Sequence, residues 1–287
     1  MKQLTRDQRC AIIRCLVDGV SIRATTRITG FAKGTIQKLT IDLGEACMKY
    51  HEENVRNVNS KRLEVDEIWN FCYAKDKNVP DSMRGQEGVG SMWTWTAIDA
   101  DSKLIVSWLL GARDSTDATT FMRDAASRLA NRVQLTSDGL KSYLVAVDAA
   151  FAGDVDFSVL VKTYGKAPDA PNSRYSPPVC TGCKKEAVVG NPNPALISTS
   201  YVERQNLNIR MQNRRFTRLT NAFSKKASML AYSLAITFMY HNFVRVHQTL
   251  KATPAMAAGI AAKKWTIEDM VDLIPELNYN TRPRKGA

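Results

Sequence analysis

Between residues 4 and 47 apolar side chains recur at helical spacing, with Gly19 and Gly30 as breaks. Thr5 and Ser21 stand where helix caps are wanted, so the pattern predicts two short helices and a third starting near Thr35. Two short helices with a glycine-containing turn before a third is the helix-turn-helix pattern, with a small helical oligomerisation module as the plainer alternative. From residue 63 the period changes. "RLEVDEIWNFCYA" reads as a strand, and after a loop holding Pro80, Gly85, Gly88 and Gly90 come "MWTWTAIDA" and "KLIVSWLLGA", joined by a hairpin turn at Asp101-Ser102.

A helix "STDATTFMRDAASRLAN" then leads to a short strand "VQLTS" ending at Asp138, a helix around 140 to 151 and a strand near 155 to 162. Residues 165 to 198 hold six of the ten prolines and read as a long irregular insertion. Helical pattern returns from Ser200, through a basic stretch, into an apolar helix over 224 to 243. Three strands, then helix, strand, helix, strand and a late helix is an α/β order that fits a ribonuclease-H-like sheet. The expected division is 1 to 62 as a DNA-binding domain and linker, 63 to 262 as an α/β catalytic domain interrupted by the insertion, and 263 to 287 as a basic tail.

Charge adds a partner class. The 287 residues carry 40 Lys and Arg against 28 Asp and Glu, a net +12, which favours a polyanion such as nucleic acid. Half of that excess lies in residues 1 to 62, with 12 basic and 6 acidic side chains. Thr35, Gln37 and Lys38, early in the third helix, are the candidates for base contact. The six cysteines are scattered, the start "MKQLTRDQRC" has no apolar run suited to a signal peptide, and the apolar run "MLAYSLAITFMY" is too short to span a bilayer. A reducing cytoplasm and no membrane are therefore expected. Cys180 and Cys183 make half of a zinc site at most, unless Cys72 or His51 joins them, so zinc is not expected.

Candidate chemistry lies in three acids distant in sequence. Topology places Asp66 on the central strand, Asp138 just after the fourth, and Glu203 at the start of a helix able to pack beside both. Clustered carboxylates need a cation, and hard oxygen donors suit Mg²⁺ or Mn²⁺. Each acid also has a plainer reading. Asp66 has Glu64 and Glu67 as near neighbours, Asp138 precedes a glycine as turn residues do, and Ser200-x-x-Glu203 is a capping box. After Glu203 come Arg204, Arg210, Arg214 and Arg215. At 3.6 residues per turn Glu203, Arg210 and Arg214 would share a helix face, the acid at a metal and the arginines along a DNA backbone.

"VDEIW", "LTSDGLKSY", "TSYVERQNLNIRMQNRRFTRLTNAFSKK", "YHNFVRVHQTL" and "TPAMAAG" resemble a bacterial insertion-sequence transposase of the IS-one-like group, in the DDE superfamily. The similarity runs from about residue 60 to 262. The resemblance implies Asp66, Asp138 and Glu203 as the metal-binding catalytic triad and Arg210 as a contact to the transposon end. It also implies double-stranded transposon-end and target DNA as partners, a homo-oligomer on paired ends, and DNA cleavage with strand transfer on two Mg²⁺ ions. The gap between Asp138 and Glu203 is longer than in well-known members of the group. The alternatives are a nuclease or resolvase of the same fold, or a non-catalytic DNA-binding repressor.

Overall fold

A computed structural model of the chain describes residues 4–165 and 179–275. Six strands form one mixed sheet: β1 (Arg62–Cys72), β2 (Gly90–Asp99), β3 (Ile105–Gly111), β4 (Gln134–Ser137), β5 (Asp156–Gly165) and β6 (Val179–Val189). Their spatial order is β3-β2-β1-β4-β5-β6. The hairpins β1–β2, β2–β3 and β5–β6 are antiparallel, while β4 runs parallel to both β1 and β5. Helices α4 (Ser115–Ser127) and α5 (Lys141–Phe151) connect the parallel part, as crossover connections between parallel strands must.

Side chains alternate along β1, so its two faces can be followed separately. Leu63, Val65 and Glu67 face α4 and α5, where Trp95 packs against Phe121 and Tyr143. Glu64, Asp66 and Ile68 face the other way, toward α6 (Ser200–Gln212) and α7 (Ala227–Met239). There Ile68, Ile209, Phe216, Leu230, Leu234 and Phe238 form a second apolar cluster. Among the described residues, no helix is long and apolar enough to cross a membrane.

The N-terminal helices are α1 (Arg6–Val17), α2 (Ile22–Thr29) and α3 (Lys33–Asn54). Thr5 caps α1 in a full capping box and Ser21 caps α2, the two caps the pattern predicts. Helix α3 starts two residues before Thr35 and continues well beyond Cys47, because nothing in "GEACMKYHEEN" stops it. It packs along α7. The buried residues of α1 and α3 belong to the same apolar cluster as Leu63, Val65 and Val106 of the sheet.

Two sequence expectations are corrected. Residues 179–189, expected to be irregular, form β6 on the edge of the sheet, paired along nearly the whole length of β5. Proline density masked this strand, since all of its prolines lie outside it; residues 166–178 lie outside the described part. The C-terminal segment is also more than a tail. After the short α8 (Pro254–Ala257), α9 (Ile267–Val271) packs against α1 with Ile267, Met270 and Val271 buried, and Arg6–Asp272 and Arg14–Glu268 ion pairs flank the contact. Residues 276–287 are outside the described part.

The opposite edge is closed by a side chain. Asn242, in a π-helical turn after α7, accepts from the Ile105 N–H (2.9 Å) and donates to its carbonyl (2.9 Å), doing for β3 what a neighbouring strand would do.

Helices α3 and α7 approach closely at Gly44, where an added Cβ would lie 2.4 Å from the Tyr232 Cβ. A helical Gly→Ala change at an open position stabilises by about 1 kcal/mol. At Gly44 the overlap dominates, so Gly44→Ala is expected to destabilise by about 1–3 kcal/mol. Urea unfolding checks the sign; a variant more stable than wild type would show that the helices do not meet there.

Candidate carboxylate site and nucleic-acid interface

The register of β1 on β4 builds the site. Arg62 pairs with Gln134, Leu63 with Leu135 and Glu64 with Thr136, after which the pairing stops. Carrying that offset two residues further sets Asp66 beside Asp138, at the point where the two strands part. In the gap Asp66, Glu67 and Asp138 each present an oxygen, and the three oxygens lie within 4.8 Å of one another. Burial pushes the Asp66 carboxyl up to about 7, with the charges of Glu67, Asp138 and Glu203 adding to the effect. Burial also raises Glu67, and Asp138 raises it further. Arg113 and Tyr143 offset part of this, Arg113 bonding Glu67 Oε1 (2.8 Å) and the Tyr143 hydroxyl donating to Oε2 (3.0 Å).

Glu203 does not form the expected capping box. Helix α6 begins at Ser200 with Thr199 in the cap position and no side-chain cap bond from it. The cap comes from the sheet instead: buried Glu64 accepts from the backbone N–H groups of Tyr201 (2.8 Å) and Val202 (3.1 Å) through Oε2. Glu203 Oε1 accepts from the Thr199 hydroxyl (2.7 Å) and from the Lys162 ammonium. Burial lowers the Lys162 ammonium, but its bond to Glu203 and the charge of Glu203, with smaller help from Tyr164 and Cys183, together leave it raised.

Sequence reasoning passed over Asn206. One turn after Glu203, its Nδ2 donates to Asp66 Oδ2 (2.7 Å), tying α6 to the strand a second time. Its Oδ1 is buried without a partner, as is the hydroxyl of Thr96, the cross-strand neighbour of Asp66. The available signal was the Glu203-x-x-Asn206 spacing, which puts both on one face. Asp138 keeps a turn role as well, accepting from the Leu140 N–H (2.9 Å).

The donor set fits a hard divalent cation. Every group is an oxygen, the carboxylates destabilise one another without a counter-charge, and an unpartnered acceptor lies beside them. Asp66, Glu67 and Asp138 make up the cluster; Glu203, on α6, is not part of it and acts on Asp66 through its charge. The Cys180 and Cys183 sulfurs lie 3.7 Å apart on β6. Cys72 and His51, the groups considered as additional zinc ligands, are buried elsewhere, His51 bonding the Ile105 carbonyl.

The arginines are distributed differently from the expectation. Helix α6 ends at Gln212, so Arg214 and Arg215 fall in a 3-10 turn and do not continue the face of Glu203 and Arg210. Asn213 stops the helix, its side chain accepting from the Arg215 N–H. Arg204 is exposed. Arg210 is half-buried, and burial with Arg218 nearby lowers its guanidinium to about 10. Arg215 is lowered by burial too and reaches only the Ser224 hydroxyl, at 2.7 Å. Neither has a carboxylate partner among the described residues.

Arg214 and Arg215 line a cleft of about 650 Å³ between the N-terminal helices and the segment before α7. Arg23, Lys33, Lys225 and Lys226 line it too, with Gln37, and no acid does. Of the other predicted contacts on α3, Thr35 is half-buried, while Lys38 is exposed and paired with Asp42 at 3.1 Å.

No protein-family profile matches the chain, and no curated protein sequence does. Among solved structures it is similar to a piggyBac transposase in a synaptic complex with hairpin DNA, at a TM-score of 0.38 and 9% identity over 95% of this chain and 71% of that one.

Two predictions follow from the geometry. Glu64→Ala leaves two buried N–H groups unsatisfied and is expected to cost about 1–3 kcal/mol, with Glu64→Gln costing less; denaturant unfolding measures both. For Asp66 the folded value lies above the unfolded one, so the protein binds more protons than its unfolded chain between about pH 4 and 7. Stability from this group is full below pH 4 and is lost as pH rises toward 7. Asp66→Asn should therefore raise the metal-free melting temperature at pH 8 and flatten the pH dependence; an unchanged melting temperature would mean that neither burial nor its neighbours penalise the Asp66 charge.

Proposed function

We propose that the chain is a metal-dependent DNA transposase of the DDE type, with a ribonuclease-H-like catalytic sheet and Asp66, Asp138 and Glu203 as its acids. The single observation that supports this is the cluster of Asp66, Glu67 and Asp138 where β1 and β4 part, with Glu203 on α6 near enough for its charge to act on Asp66. The strand order supports the fold assignment: β3-β2-β1-β4-β5, two antiparallel pairings followed by parallel ones, is that of a ribonuclease-H-like sheet, with β6 added outside. The motif resemblance of "VDEIW", "LTSDGLKSY" and "TSYVERQNLNIRMQ" supports strand transfer over simple hydrolysis.

Asp66 and Asp138 would hold Mg²⁺ or Mn²⁺, with Glu203 completing the set after leaving Lys162. Divalent ions bound there supply an activated oxygen nucleophile and stabilise the leaving oxygen of a phosphodiester. The chain's own residues do the positioning. Glu64 fixes the first turn of α6, Asn206 holds the Asp66 carboxylate, and Arg113 and Tyr143 keep Glu67 oriented at the rim. Lys162, once released, is a cation beside the scissile phosphate. Arg210 and the basic cleft hold the DNA backbone away from the acids, with Gln37 and neighbouring positions on α3 nearest the bases.

Incubation with Mg²⁺ and DNA bearing the inverted repeats that flank the gene, scored for nicking and joining, tests the function. Asp66→Asn, Asp138→Asn and Glu203→Gln should each lose at least a hundredfold in both products while binding DNA as wild type does. A Glu203→Gln protein with normal cleavage would remove that acid from the site. Nicking without joining would identify a nuclease of this fold.

A further inference from the structure

Beyond Glu67, the face of β1 that α4 and α5 cover becomes open. Its next two side chains, Trp69 and Phe71, are half-buried and belong to neither apolar cluster. Trp93 is the cross-strand neighbour of Trp69, so both rings lie on one face. Trp69 and Phe71 are 5.7 Å apart, and Phe223, from the segment before α7, continues the row 4.8 Å from Phe71.

The rings carry cations. Arg113 lies 4.6 Å over Trp93 while bonded to Glu67, Lys75 lies 5.8 Å over Phe71, and Lys225 lies 4.9 Å over Phe223. The first ring is also locked in orientation. The Trp69 indole N–H donates to the Ser91 hydroxyl (2.9 Å), and Asp76 accepts from both the Ser91 hydroxyl and its backbone N–H (2.7 Å). A row that served only the apolar interior would be covered by a helix and would have no reason to alternate with cations.

We propose that this row is a stacking platform for an unpaired DNA strand, starting two residues from the carboxylates. It rests on the function proposed above and adds to it that the strand leaving the cut site is single-stranded. Bases stack on aromatic faces without regard to sequence, and interleaved cations pair with the phosphates between them. The ring-bound Lys75, Lys225 and Arg113 are placed for that exchange, since an exposed cation–ring contact is weaker than a base–ring stack. A duplex keeps its bases in the helical stack and cannot use the rings.

The test uses the full chain and a short oligothymidylate containing a single 2-aminopurine, whose fluorescence falls on stacking, with the matching duplex as comparison. Wild type should quench the probe in the single strand and not in the duplex. Trp69→Leu and Phe223→Leu should each weaken single-strand binding about tenfold, with duplex binding of Trp69→Leu within about twofold and Trp69→Phe close to wild type. Phe223 lies outside the sheet, so its variant reports even where Trp69→Leu fails to fold. Unchanged single-strand affinity in Phe223→Leu together with unchanged quenching in Trp69→Leu overturns the platform. If wild type still cuts and joins DNA under that outcome, the transposase function stands without it. Loss of strand binding in these variants beside an Asp66→Asn protein that still nicks supports the platform and removes the carboxylate mechanism.

Discussion

Glu64 joins the two halves of the site. Its carboxylate leaves the central strand and accepts two hydrogen bonds from the first turn of α6, taking the place of a cap that the helix's own residues do not provide. A carboxylate at a helix N-terminus satisfies free N–H groups and meets the positive end of the helix dipole. Because Glu64 and Asp66 lie on the same face of β1, the bond that anchors α6 also fixes the height at which Glu203 and Asn206 meet Asp66. The third acid, from a helix more than a hundred residues later in sequence, is held in register by a side chain two positions from the first.

That anchoring brings together charges that oppose folding. Asp66, Glu67 and Asp138 share a gap in which burial and mutual repulsion already push Asp66 up to about 7. The protein offsets this at the margins, with Arg113 and Tyr143 on Glu67 and Lys162 on Glu203, while no Lys or Arg among the described residues pairs with Asp66 or Asp138. Strain of this kind, held by an otherwise well-packed sheet, is what a metal-binding site requires of its scaffold. The positive side is arranged similarly. Arg210 and Arg215 are desolvated without acidic partners among the described residues, a cost that an anionic ligand would relieve.

Much of this was legible in the sequence. The alternating pattern of β1 to β3, the helix caps Thr5 and Ser21, and the order of strands and helices were read from side-chain period and turn residues. The meeting of Asp66 with Asp138 follows once β1 and β4 are neighbours, but the third acid of their cluster, Glu67, had been read only as a neighbour of Asp66. What escaped is long-range. Glu64 looked like a competitor of Asp66 because sequence cannot show a cap delivered from another element, and Ser200-x-x-Glu203 looked like a box for the same reason. Strand β6 was hidden behind prolines that precede and follow it. Arg214 seemed to extend the face of Glu203 because nothing in "RMQNRRF" marks Asn213 as the end of α6. The aromatic row is not visible in the sequence because exposure depends on where α4 and α5 stop.

The central claim is that Asp66, Asp138 and Glu203 form one cation site, assembled by Glu64. Anomalous diffraction from crystals soaked in Mn²⁺ addresses it directly. The proposal predicts a peak at the Asp66 and Asp138 carboxylates, with Glu203 released from Lys162, and no such peak in Asp66→Asn crystals. Mn²⁺ bound elsewhere, with the Lys162–Glu203 pair intact and the gap between Asp66 and Asp138 without density, would contradict it.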